Sequence, residues 1–158
     1  MIWSGRIQIA FIVALLTVGS SGVSPSYADD EWKNLPPGPV RDRIELMEKV
    51  GDDAKAINQA LKAGKPEDAQ APAENIVALM SKFDAMFPEG SITEGSRSKN
   101  NIWAAWDQFE AFSKYLSDSA QKIAIAARDG GDVKSASREM FKSCKNCHKK
   151  FRIPKEDE

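Results

Sequence analysis

The sequence predicts an all-α four-helix bundle. Three observations predict it: four stretches repeat apolar residues at three- and four-residue steps, glycine or proline stands at each break between them, and no stretch alternates as a strand does. In the first stretch Val40, Ile44, Met47, Ala54, Ile57 and Leu61 mark one buried face, giving a helix over Pro39 to Ala63 with Gly64 as its stop. Pro66-Glu67-Asp68 suits the first turn of a second helix, because proline is tolerated there and acids favour the positive end of the dipole. Ala69, Ala73, Ile76, Leu79, Met80, Phe83 and Phe87 carry its face to Pro88, while Pro72 allows a later start near Ala71. Glu89 to Asn101 lacks periodicity and forms the one long loop, a length at which loops are functional or mobile. Trp103, Trp106, Phe109, Phe112, Leu116, Ile123 and Ala127 resume helical spacing from Ile102 until Gly130-Gly131. Asp132 then caps a fourth helix holding Val133, Ala136, Met140, Phe141, Cys144, Cys147 and His148, with Pro154 its latest end.

The first 28 residues stand apart from this pattern. Arg6 precedes an apolar run from Ile7 to Val18, too short to span a bilayer comfortably, and Ser26-Tyr27-Ala28 places small residues before a cut at Asp29. Residues 1–28 are expected to be a signal peptide and residues 29–158 a single exported domain with no stable membrane anchor. The formal charge of −1 becomes −2 once Arg6 is removed, so no basic field argues for nucleic acid. The last segment is locally basic, with Lys134, Arg138, Lys142, Lys145, Lys149, Lys150, Arg152 and Lys155, either a solvated face or a surface for an acidic partner.

Chemistry concentrates at Cys144-Lys145-Asn146-Cys147-His148, the C-x-x-C-H pattern of c-type haem attachment. On a helix, residues three and four apart share a side, so two sulfurs and an imidazole face the same way. The thiols can add across the porphyrin vinyl groups while the histidine reaches the iron. A disulfide here would close too small a loop to stabilise much, and a thioredoxin-like pair needs a strand that this sequence lacks. A zinc site needs about four ligands, and the chain has two cysteines and one histidine. No Ser-His-Asp set, phosphate-cradling glycine loop or paired carboxylates stand out, so no enzyme is expected.

With this motif at its C-terminal end the chain resembles the class II c-type cytochromes, the family of cytochrome c′ and its low-spin relatives such as cytochrome c-556. The resemblance covers Arg43-Ile44-Glu45-Leu46-Met47, Phe87-Pro88-Glu89-Gly90-Ser91, Ile102-Trp103 and the haem motif followed by Lys149-Lys150-Phe151-Arg152. It implies an antiparallel, left-handed up-down-up-down four-helix bundle enclosing one covalent haem c, with His148 as proximal ligand. It also implies that Met47 faces the open side of the iron, one turn after the basic Arg43, and that Arg152 lies near the proximal face. The Pro-rich leader before the first helix and the Asn100-Asn101 pair depart from the family pattern.

A single histidine rules out a bis-histidine site. Met47 is the expected sixth ligand, since a thioether opposite imidazole gives a low-spin centre suited to electron exchange. Its alternative is an apolar shield over an open iron; Met80 and Met86 read as core filler, and Met140 shares the helix of His148. Arg43 is expected at a haem propionate, or else as a solvated helix charge. Phe83, Phe87, Trp103, Trp106 and Phe109 read as core, some of them walling the haem. The expected function is one-electron transport with periplasmic redox proteins, as monomer or homodimer. The alternative is a five-coordinate protein binding nitric oxide or carbon monoxide.

Overall fold

The computed structural model describes residues 31–154; the leader assigned to residues 1–28 and the basic Lys155 lie outside them. Among the described residues four α-helices form: α1 (Pro39–Lys62), α2 (Gln70–Met80), α3 (Trp106–Asp129) and α4 (Val133–Phe151). Their ends follow local chemistry. Proline opens α1, Gly130 closes α3 in the left-handed conformation at φ 75°, and the Asp132 carboxylate caps α4 by accepting from the Ser135 amide at 2.8 Å.

The bundle has two unlike ends. At one, Ile57, Ile76 and Ile123 are fully enclosed among Ala60, Ala69, Ala73, Ala120 and Ala124, whose small side chains let the helices approach closely. Each buried isoleucine contributes about 1.5–3 kcal/mol. At the other, the first half of α1, the chain just after α2, the first half of α3 and the second half of α4 surround a cavity. Alternating halves meet there, as an antiparallel up-down-up-down bundle requires. The pairs α1–α2, α2–α3 and α3–α4 pack closely, whereas α1 touches α4 sparingly, and residues of both α1 and α4 line the cavity.

Two departures from the sequence reading bear on the site. The second helix ends at Met80 rather than Phe87, and a 3-10 turn over Asp84–Met86 follows. Phe83 and Phe87 remain buried, and tertiary donors claim carbonyls in the chain after the helix: Arg43 Nη1 donates to Met86 O and Trp103 Nε1 to Phe87 O. Similarly, a 3-10 turn over Trp103–Ala105 delays α3 to Trp106.

The long loop is pinned to the end of α4. Lys99 N donates to Phe151 O at 2.8 Å, Ile153 N donates to Arg97 O at 2.7 Å, and Ser98 bridges to Arg152. The Arg97 side chain adds a second tie to Ile153 O, and Lys99 Nζ reaches Lys149 O. Among the described residues no helix is long and apolar enough to cross a membrane.

Candidate functional site

The cavity measures about 1160 Å³, somewhat above the roughly 300–1,000 Å³ usual for cofactor pockets. Cys144, Cys147 and His148 line it from α4, Met47 and Arg43 from α1. All five residues singled out by sequence therefore meet at one place. Their spacing is the reason: 144, 147 and 148 share a face of α4, and 43 and 47 lie one turn apart on α1.

Both thiols are free and half-buried. Burial pushes Cys147 up to about 11, with smaller contributions from Cys144 and Asp84, and burial likewise raises Cys144. Burial thus disfavours the thiolate at both positions, whereas a thiolate nucleophile needs an electropositive setting. Asp84 is itself raised by burial, a shift that the Ser113 hydroxyl opposes by donating to Oδ2 at 2.9 Å.

The methionines separate by position. Met47 is half-buried on the cavity wall; Met80, 5 % exposed, is both core and wall. Met140 is fully enclosed, and neither it nor Met86 is on the wall. Of the five aromatic residues read as core, Phe83, Phe87 and Phe109 line the cavity and Trp103 and Trp106 do not. Phe109 joins the lining into one cluster, 5.5 Å from Phe83, 4.7 Å from Phe87 and 5.4 Å from Phe151 between ring centroids.

Arg43 has an unforeseen role. It is 3 % exposed, and its guanidinium clasps the loop: Nη1 donates to Met86 O (3.3 Å) and Ser91 Oγ (3.1 Å), Nη2 to Ser91 O (2.9 Å) and Ser96 Oγ (2.8 Å). The guanidinium carbon also lies 4.7 Å from the Phe87 ring centroid. These bonds occupy all four terminal N–H groups, leaving no terminal fork for a bidentate carboxylate partner. Burial correspondingly lowers its pKa.

Sequence reasoning also missed Trp32, Leu35 and Thr93 to Ser98, which complete the wall. No periodicity marks them; the signals were that the leader departs from the family pattern and that the 89–101 loop is long enough to be functional. Arg152 is on the wall as well. The residues present fit a haem. Phenylalanines suit a flat apolar ring, and two cysteines and a histidine share one wall.

Comparison with known proteins agrees. The family model described as Cytochrome C′ matches residues 38–152. A cytochrome c-556 from Agrobacterium tumefaciens (strain II Chrys) is 30% identical over 122 residues, covering 75% of this chain and 99% of that protein. Cytochrome c′ from Thermochromatium tepidum superposes with a TM-score of 0.68 at 21% identity, over 73% of this chain and 95% of the other. A nitric oxide complex of a cytochrome c prime mutant from Alcaligenes xylosoxidans gives 0.65 at 22% identity, over 73% and 94%. The match to the family model spans all four helices and the haem motif, and the chain belongs to the cytochrome c′ family, electron-transfer proteins carrying one covalently bound haem c.

Proposed function

We propose that the protein is a periplasmic one-electron carrier, its haem joined through Cys144 and Cys147 and the iron held by His148 and Met47. One observation carries this reading: Met47 and the haem motif line a single cavity from α1 and α4, the two helices that stand apart. The bound group supplies reversible one-electron exchange between ferrous and ferric iron. The chain's own residues supply the setting. The two cysteines offer two attachment points on one helix face, and the imidazole of His148 follows directly. Met47 offers a soft, uncharged donor from the other helix, which favours the ferrous state and keeps the ligand set constant through the redox cycle. Phe83, Phe87 and Phe109 limit water at the ring. Arg43 acts on the propionates through its charge, since its terminal donors serve the loop.

A second reading is a five-coordinate gas binder with Met47 as a lid. The Alcaligenes cytochrome c prime, of the same fold, is known as a nitric oxide complex. Optical and magnetic-resonance spectra of wild type, Met47→Leu and Met80→Leu separate the two. Thioether ligation gives a low-spin wild type with a weak far-red ferric band, a high-spin Met47→Leu that takes carbon monoxide when reduced, and a Met80→Leu resembling wild type. Matching high-spin spectra for wild type and Met47→Leu refute ligation and favour gas binding.

A further inference from the structure

On α1 and α3 exposed cations pair with carboxylates: Lys49 Nζ lies 2.7 Å from Glu45 Oε1, Lys55 Nζ 3.0 Å from Asp52 Oδ1, Lys114 Nζ 2.6 Å from Asp118 Oδ2 and Arg128 Nε 2.8 Å from Asp129 Oδ1. The outer face of α4 differs. Lys134, Arg138, Lys142, Lys145 and Lys149 are all exposed, and among the described residues none of them makes an ion pair. Unpaired lysines elsewhere, such as Lys82 after α2 and Lys122 on α3, do not repeat along a face. Steps of three and four residues bring the five together, where like charges oppose one another and work against the helix. The negative end of the helix dipole offsets this for Lys149 in the last turn, but not for the four before it. Glu139 is the one carboxylate of α4, and it accepts from the Tyr115 hydroxyl at 2.6 Å instead of neutralising the stripe.

Phe141 joins this stripe to the cavity. It lines the cavity wall, which the other large exposed apolar residues, Tyr115, Ile125 and Ile153, do not. Arg138 and Lys145 are its helical neighbours three and four residues away, and Cys144 is its neighbour three residues on. The stripe therefore backs the helix that carries the haem motif, roughly one helix diameter, about 10–12 Å, from the cavity. Electron exchange between proteins falls steeply with the distance between their redox centres, so contact on this face is productive. The stripe is also only one helix wide. Glu139 borders it toward α3, and Glu48, exposed on α1, borders the cavity. A broad anionic plane such as a membrane presses these carboxylates against like charge, whereas an acidic patch of matching width on a protein meets the cations alone.

We propose that the outer face of α4, from Lys134 to Lys149, is where an acidic one-electron protein docks to exchange an electron with the haem. This rests on the carrier reading given above. The stripe draws the partner in and orients it, and a single electron crosses with no bond made or broken.

The test uses the holoprotein, with reduced flavodoxin as the acidic probe. One electron passes from its flavin hydroquinone to ferric iron, leaving the semiquinone and ferrous haem. By stopped flow at low salt, Arg138→Glu with Lys142→Glu should slow the bimolecular rate about tenfold, with covalent haem and potential unchanged. Lys62→Glu with Lys65→Glu makes the same change of net charge at the end of α1 away from the cavity, and should slow it less than about twofold. A second measurement needs no variant. Oxidised flavodoxin titrated into the ferrous wild type should shift the backbone amide resonances between 134 and 149, and added salt should reverse the shifts. Equal slowing by both pairs, or amide shifts centred on another face, overturns the proposal. An α4 face that binds phosphatidylglycerol vesicles but not flavodoxin also overturns it, assigning the stripe to a membrane. A wild type whose spectrum shows a five-coordinate, carbon monoxide-binding iron overturns the carrier reading beneath it, a result visible without any partner.

Discussion

Arg43→Leu tests whether the α1 guanidinium is chiefly a clasp for the 91–96 loop. The substitution leaves Met86 O, Ser91 O, Ser91 Oγ and Ser96 Oγ without their donor and removes the cation from the Phe87 ring. Hydrogen bonds to a charged group are each worth about 1.5–3 kcal/mol. Four such bonds overstate the loss, because removing a buried cation also removes its desolvation cost, and a loosened loop lets water reach the acceptors. A net destabilisation of about 3 kcal/mol follows, the low end for removing one partner of a buried charged network. That lowers Tm by roughly 10 °C for a domain of this size. Arg43→Lys keeps the charge on a single nitrogen and should recover only part of the loss. Urea denaturation gives the magnitude, and hydrogen exchange of amides 91–99 in the holoprotein gives the location. A variant within 0.5 kcal/mol of wild type, with unchanged exchange in the loop, refutes the clasp. A shifted potential without loop loosening would instead give Arg43 the direct propionate role expected from sequence.

Two further outcomes follow from the surface and the core. Lys134, Arg138, Lys142, Lys145 and Lys149 form an exposed stripe at helical spacing along α4, so oxidation of the reduced protein by ferricyanide should slow as salt rises. Lys145→Glu with Lys149→Glu should slow it about tenfold at low salt, by stopped flow, and speed a cationic cobalt oxidant. Burial raises the Asp84 carboxyl pKa, so folding favours its protonated form. That contribution is fully present below the unfolded value near 3.9 and is lost as pH rises through the folded value. Asp84→Asn should therefore raise the urea midpoint at pH 7 and leave it nearly unchanged below about pH 4.

The helices were legible because their signals are local. A three- and four-residue apolar step, a proline at the start of α1 and an aspartate before α4 each act within a turn or two. Cys144, Cys147 and His148 were legible for the same reason, since helical spacing alone puts them on one wall. The end of α2 was not. Phe83 and Phe87 keep their four-residue spacing whether the backbone is α or 3-10, and the donors that claim the carbonyls of Met86 and Phe87 come from 43 residues earlier and 16 later. Met47 was singled out by family resemblance, because methionine on an apolar stripe packs as readily as it binds. Trp32 lay beyond local reasoning, since its place on the wall depends on a contact between Leu35 and Gly95 that no periodicity encodes.

These long-range ties answer a mechanical problem set by the site. A cavity between α1 and α4 removes the side-chain packing that elsewhere holds neighbouring helices together, so that seam must be closed by something else. The 91–99 loop does so with both of its ends. Arg43 fixes its first half to α1, while the backbone at 97 and 99 fixes its second half to 151 and 153 at the end of α4. Because Arg43 and Met47 are one turn apart, and the bridge at Arg152 is one turn beyond His148, each tie sits beside a proposed iron ligand. The separation of α1 from α4 is thereby set by hydrogen bonds around the cavity's rim rather than by packing across it. A gap held in this way stays wide enough for a flat cofactor and resists the collapse that would otherwise bring two apolar helix faces together.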